Sequence, residues 1–384
     1  MSFEDSAEYI AKAKNLFTIG AAFTTNTSKG HDFFDISTHT LAALNTRTTG
    51  YSFLDKSLNG GYSNKTLVVL MGGPKTGKSM WLCNLAAQSV KNGYNTLYIT
   101  LELPYQKVSQ RIGANMFNIP MAQYNETVKD NNLFAKKVQE FRANQLGKLG
   151  TFILEEFPTS TATAEMIEAF AIKKQEEISA LTGKDFKFDN VYIDYLNIMR
   201  DMKNPNSENT YLKIKSICED VRAMAQRNEW CVISVTQTNR GGTESSDLNM
   251  TDVSESAGLT ATVDALFGII RTTMMRAEGC YYLKAVAMRD SPLMGCKKRY
   301  TFNDTYLRLA EDLTEEIIAD GVDIPSIYVS ATANGVAKYQ QNNRGYNNQT
   351  PQQPAPIQQG TPLIQTPQLG ISESQLTGAD LFKM

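Results

Sequence analysis

Net charge is what this sequence has least of: 38 Lys plus Arg stand against 40 Asp plus Glu, a formal charge of −2. That excludes the whole-molecule attraction to nucleic acid that a strongly basic chain exerts, so any nucleic-acid site has to be local. Cysteine is sparse as well. Cys83, Cys218, Cys231, Cys280 and Cys296 lie far apart without a Cys-x-x-Cys pair, and only His31 and His39 offer imidazoles. Neither a disulfide framework nor a zinc site is indicated, and the thiols read as small hydrophobes of a reducing compartment. No apolar run approaches the roughly 20 residues that span a bilayer. The acidic start from Met1 to Asp5 also lacks a signal peptide's basic segment. A cytoplasmic protein without a membrane partner is expected.

What is present suffices for one large domain, since 42% of the 384 residues are hydrophobic. Three segments are predicted: an amino-terminal arm over 1–45, a main domain over 46–325 and a tail over 326–384. In the arm, Phe3, Ala7, Ile10 and Phe17 recur at helical spacing. This short amphipathic helix either folds back on its own core or docks on a neighbouring subunit. The tail is rich in Gln, Asn, Pro and Gly between 339 and 368, and too poor in apolar surface to offset ordering entropy. Leu376, Leu381 and Phe382 then return, either as a partner-docking peptide or as plain tail.

Within the main domain, strands are predicted at 66–71, 96–101, 151–155, 190–195 and 231–235, with helices at 79–91, 105–116, 164–181 and 208–226 between them. Such alternation implies an α/β fold with a mostly parallel sheet covered on both faces. Beyond Leu266, strand-like runs at 266–271, 281–288, 298–302 and 306–309 follow one another with short turns and no helix. They are expected to extend the sheet with antiparallel strands.

Between the first strand and its helix the chain reads Gly72-Gly73-Pro74-Lys75-Thr76-Gly77-Lys78-Ser79. Four residues between Gly72 and Gly77 let the backbone wrap an anion with its amide hydrogens inward, beside the positive end of the following helix. This is a Walker A loop. Lys78 is placed for the β- and γ-phosphates of ATP and the Ser79 hydroxyl for Mg2+. A second metal ligand belongs at the end of another buried strand, where Asp194 closes the run Val191-Tyr192-Ile193. Glu102, ending the next strand, is the candidate base for the attacking water, and Gln237 is a candidate γ-phosphate sensor. All sit at carboxyl ends of predicted strands, where open α/β sheets bind ligands.

These residues, with Gly30-His31-Asp32-Phe33, Tyr98-Ile99-Thr100-Leu101-Glu102 and Arg111, Ile193-Asp194-Tyr195-Leu196, Ser207-Glu208-Asn209, Asp247-Leu248-Asn249-Met250 and Glu255-Ser256-Ala257-Gly258-Leu259, resemble the motor domain of the DnaB-type replicative helicases, above all those of T4-like phages. The resemblance spans about 30–312. It implies a RecA-like, ring-shaped hexamer that threads single-stranded DNA 5′ to 3′ and hydrolyses ATP at subunit boundaries. Arg289 then matches the arginine finger supplied by a neighbour, and Ser254, Glu255, Ser256, Ala257 and Gly258, with Arg200, Lys203 and Arg240, are candidate DNA contacts. Primase, a helicase loader and single-strand-binding protein are the implied partners.

Three departures stand out. Ala287 replaces the lysine that many relatives carry two residues before the finger, leaving Arg289 alone or with Lys284 as helper; Ser254 stands where bacterial relatives have arginine. Only about 45 residues precede the core, where full-length relatives carry a collar that engages primase. Open alternatives are a filament-forming RecA-like recombinase or annealing ATPase, and an ATP-gated binding protein; the sequence does not set ring against filament.

Overall fold

The structure, a computed structural model, describes residues 32–34, 46–145, 148–204, 207, 209–237, 257–289, 291 and 293–318. The expected amino-terminal helix, Arg240, residues 254–256 and the tail lie outside them. The described residues belong to one compact unit upstream of Val336, and none of their helices is long and apolar enough to cross a membrane.

In chain order the elements are β1 (Thr46–Arg47), α1 (Ser52–Ser57), β2 (Tyr62–Ser63), β3 (Thr66–Gly72), α2 (Lys78–Lys91), β4 (Thr96–Thr100), α3 (Tyr105–Phe117), α4 (Tyr124–Lys129), α5 (Asn131–Asn144), β5 (Phe152–Glu156) and α6 (Ala164–Thr182). Then come β6 (Asn190–Asp194), α7 (Thr210–Asn228), β7 (Cys231–Gln237), α8 (Ala257–Thr262), β8 (Ala265–Ile270), α9 (Thr273–Ala277), β9 (Cys280–Met288), β10 (Lys297–Asn303) and β11 (Arg308–Glu311). β1 and β2 form a small antiparallel pair. The other nine strands make one sheet in the order β11-β10-β9-β8-β3-β7-β6-β4-β5.

Alternation along the strands builds two cores. Leu67, Val69 and Met71 of β3 join Val232 of β7 and the α6 and α7 residues Ile167, Ile217, Val221 and Met224 on one face. Val68 and Leu70, with Ile233 and Val235, pack on the other face against Trp81, Leu82 and Leu85 of α2 and Ile112 of α3. Strands buried on both faces lose their polar alternation, which is why β3 reads as a continuous apolar run. Side-chain caps start the outer helices: Thr163 accepts from the Met166 amide at α6, and Asn209 from the Tyr211 and Leu212 amides at α7. All five cysteines are buried, and none is in a disulfide.

Three expectations are corrected. β8 was to be antiparallel, yet it runs parallel to β3, with Val68 opposite Ala265; the chain reaches it through α8, and a helical crossover returns a strand in the same direction. Of the strands expected to be antiparallel, β9, β10 and β11 are. A helix, α9, stands where a turn was predicted between β8 and β9, its start capped by the Thr272 hydroxyl. β11 begins at Arg308, because Asn303 accepts from the Thr305 and Tyr306 amides and spends those residues on the turn. The helices α4 and α5 were not anticipated: their apolar positions are few, and they are held by a small separate core of Ala114, Ile119 and Tyr124 with Phe117 and Phe134 packed against it.

Candidate functional site

The Walker loop leaves β3 at Gly72 and enters α2 at Lys78. Two glycines are there for steric reasons. A Cβ on Gly72 would lie 2.6 Å from the Thr76 hydroxyl; one on Gly77, whose φ is +96°, would lie 2.6 Å from the Tyr281 hydroxyl. The loop is braced from within, Thr76 Oγ1 donating to the Gly73 carbonyl at 2.8 Å. Lys78 Nζ donates to the same carbonyl at 2.8 Å. Pro74 and Lys75 are exposed at the tip.

The loop and the candidates Gln237, Asp194 and Glu102 sit on four neighbouring strands. Gln237, exposed at the end of β7, pairs in register with Gly72, and its backbone N–H donates to Asn197 Oδ1 at 3.3 Å. Asp194 ends β6, wholly buried. The Ser79 hydroxyl donates to Asp194 Oδ1 at 3.3 Å, and the Tyr98 hydroxyl to Oδ2 at 3.2 Å. Glu102 is exposed just past β4, where the neighbouring Leu101 amide donates to the Asp194 carbonyl at 2.8 Å. Burial pushes the Asp194 carboxyl up to about 6, with Glu102 adding to the rise and the Ser79 and Tyr98 hydroxyls opposing it. Burial also lowers the Lys78 ammonium from its ordinary value, against the pull of Glu102 and Asp194. A buried carboxylate and a hydroxyl converging on one point are the hard oxygen donors that suit Mg2+, so the residues present fit that ion.

Arg289 lies at the other edge of the sheet. Its amide donates to the Asp264 carbonyl at 3.2 Å and the Asp264 amide to the Leu67 carbonyl at 3.0 Å. Leu67 is the second residue of β3 while the loop leaves its far end at Gly72, so at about 3.3 Å per residue roughly 17 Å separate Arg289 from its own phosphate loop. The side chain is 46% exposed, and its guanidinium pairs with Asp264 at 3.2 Å. Asp264 is also held by Arg222, at 2.9 and 3.1 Å. Lys284, the suggested helper, is 5% exposed within β9, between β8 and β10.

Of the candidate DNA contacts, Arg200 is exposed and lines a cavity of about 300 Å³ with Asp201, Asn204 and Lys213. Lys203 is committed to Asp220 in an ion pair, and that hydrogen bond raises its ammonium above the ordinary value. Ala257 and Gly258 open α8.

Sequence reasoning missed a cationic and aromatic wall beside the loop. The Arg271 guanidinium stacks 4.1 Å from the Tyr281 ring centroid and 5.4 Å from that of Phe302, and Arg276 donates to the Lys75 carbonyl at 2.9 Å. It also missed Tyr98, whose hydroxyl fixes Asp194. Lone arginines and tyrosines carry no spacing signal; only the pairing of β9 and β10 brings these together.

Comparison with known proteins agrees with this geometry. The profile of the DnaB-like helicase C terminal domain matches residues 47–299, well over half of the chain. The DnaB-like replicative helicase of Enterobacteria phage T4 is 30% identical over 269 residues, which cover 68% of this chain and 54% of that protein. The replicative DNA helicase DnaB of Buchnera aphidicola is 25% identical over 269 residues, covering 68% and 55%. The chain thus spans about half the length of these curated relatives. A solved DnaB-like replicative helicase, described with its interactions with primase, superposes with a TM-score of 0.59 at 17% identity, over 79% of this chain and 74% of that one. That likeness concerns the fold, which is RecA-like. By the extent of the profile match, supported by the site built on its strand ends, the chain belongs to the DnaB-like helicase C-terminal domain family.

Proposed function

We propose that the chain is the motor of an ATP-driven replicative DNA helicase, a ring, most simply a hexamer, that moves 5′ to 3′ on single-stranded DNA. The observation that carries this reading is the division of the site. Loop, Asp194, Glu102 and Gln237 share one edge of the sheet, while Arg289 stands roughly 17 Å away at the other. One subunit's Arg289 therefore serves a neighbour's phosphates.

In that arrangement the loop amides and Lys78 bind the β- and γ-phosphates of ATP, and Glu102 holds the attacking water and accepts its proton. Gln237 reads the γ-phosphate without competing for metal, being a neutral amide beside Gly72. Ser79 and Asp194 would hold Mg2+, which when bound neutralises charge on the phosphates. The Arg271 guanidinium, stacked on the buried Tyr281 ring, offers the adenine a flat surface next to Gly77. Arg289 contributes transition-state charge from the adjacent subunit, an effect of about 10³ to 10⁵ in rate. Arg200 and the 254–258 segment, repeated around a ring, are the DNA-facing candidates. Residues 1–45 act as a linker to the next subunit and 326–384 as a tail; primase is the first partner to test, ahead of a loader or single-strand-binding protein.

Subunit mixing tests the division directly. Arg289→Ala and Lys78→Ala chains, each inactive alone, should regain a fraction of DNA-stimulated hydrolysis when combined, because some interfaces then carry both intact halves. No regain at any ratio would overturn the shared site. Unwinding of a fork should require a 5′ tail, ATP and Mg2+, and micrographs should show closed rings; long filaments on DNA would point to a recombinase.

A further inference from the structure

Helix α2 has a second charged end. Its last residue, Lys91, faces Arg308 at the start of β11 across a cavity of about 470 Å³ that also involves α3 and α5. Thirteen residue steps at about 1.5 Å put this end roughly 20 Å from Lys78. Both cations are fixed by Asn115: Lys91 Nζ donates to its side-chain oxygen at 3.0 Å and Arg308 Nη2 to its carbonyl. Asn115 is itself tied to Asn84 at 2.7 Å, and Asn84 to the Leu307 carbonyl at 3.0 Å and the Leu309 amide at 2.9 Å. The cradle is rigid. Yet among the described residues neither cation has a carboxylate partner, and Arg308 Nε is buried with no hydrogen-bond partner at all.

Two converging positive charges in a partly enclosed cavity are costly without an anion. Burial, and then Arg308, hold the Lys91 ammonium down to about 8. The one wall carboxylate, Glu140, is engaged by Lys137 at 3.3 Å. The rest of the wall joins an apolar patch of Met116, Phe117 and Phe141 to the amides of Asn118, Asn144 and Gln145. A doubly negative head matches Lys91 and Arg308, because a lysine point charge and an arginine fork together are a phosphate's natural complement. The cavity is within the range of small-molecule sites and far larger than a bare phosphate needs, and its apolar patch beside amides suits a flat body with polar edges.

We infer that this cavity binds a small phosphate monoester with a flat or apolar body, of the size of a nucleoside 5′-monophosphate, at a site separate from the Walker loop. The test uses the full chain with its loop saturated by a slowly hydrolysed ATP analogue and Mg2+. AMP, adenosine and inorganic phosphate are then titrated by calorimetry. AMP should bind once more per chain, at least tenfold tighter than adenosine and tenfold tighter than inorganic phosphate. Lys91→Met and Arg308→Gln should each weaken AMP at least tenfold, and Lys91→Arg should restore much of the loss, with analogue binding at the loop unaltered. The assignment is overturned by no binding up to millimolar AMP, by adenosine or inorganic phosphate binding as well as AMP, or by unchanged affinity in variants that melt no lower than the parent. Should Lys91→Met or Arg308→Gln fail to fold, the three-ligand comparison on the parent chain decides alone.

Discussion

The two ends of helix α2 carry the same residue type in opposite electrostatic settings. At the amino end, Lys78 is lowered by burial but faces Glu102 and Asp194, so both signs of charge are present. At the carboxyl end, Lys91 is lowered by burial and further by Arg308, with only amides to hold it. The first is a site where both signs of charge are balanced; the second is a surplus of one sign. Burial of a lysine thus says little about its task until the charges around it are counted.

The comparison breaks most severely at the front. Lys78→Ala is expected to lower ATP hydrolysis by about 10³-fold or more, since its charge is delivered where transition-state charge develops; steady-state hydrolysis with and without DNA measures it. Arg289→Ala should match that loss to within about tenfold, while shifting the melting temperature by no more than a degree or two, because a half-exposed ion pair contributes roughly 1 kcal/mol or less. A large fall in melting temperature would mean that Arg289 acts through Asp264 on the fold instead.

A finer probe is Tyr98→Phe, which removes one hydroxyl and leaves Asp194 Oδ2 without its donor. The unpaired buried oxygen costs about 1–3 kcal/mol. The Mg2+ concentration for half-maximal hydrolysis should change by about tenfold, with ATP affinity in the absence of metal unmoved; identical metal dependence would remove Tyr98 from its positioning role.

The smallest effect is read at the rear. Lys91 is held to about 8 in the fold against 10.5 for the free side chain. Between those values the unfolded chain binds more protons, so this group's contribution to stability rises with pH, by about 1–3 kcal/mol in all, and is complete above 10.5. Buried tyrosines and cysteines, raised by burial, pull the other way above about pH 9, which makes the difference between parent and Lys91→Met the informative curve. The variant should be relatively more stable at pH 7 and lose that advantage by pH 10.5; a flat difference would show that Lys91 titrates normally.

Much of the site was legible in the chain because each part carries a local signature. The phosphate loop needs glycines at fixed offsets, Asp194 closes an apolar run, and Gln237 and Glu102 end strands whose continuous hydrophobicity marks them as buried on both faces. The main sheet followed from the alternation of strand and helix. The direction of β8 did not, since periodicity gives a strand's faces but not its polarity, and α5 did not, since its few apolar residues pack on a side core of their own.

The sequence by itself determined the phosphate loop, the acid that ends β6 and the α/β class, because glycine freedom and hydrophobic period are properties of short stretches of chain. Tertiary structure alone decided that Arg289 lies across the sheet from its own loop, that Tyr98 fixes Asp194, that Arg271 stacks beside Gly77, and that Lys91 meets Arg308. Each of these joins residues far apart in the chain or on different strands, and only the order and direction of the strands in the sheet set those distances.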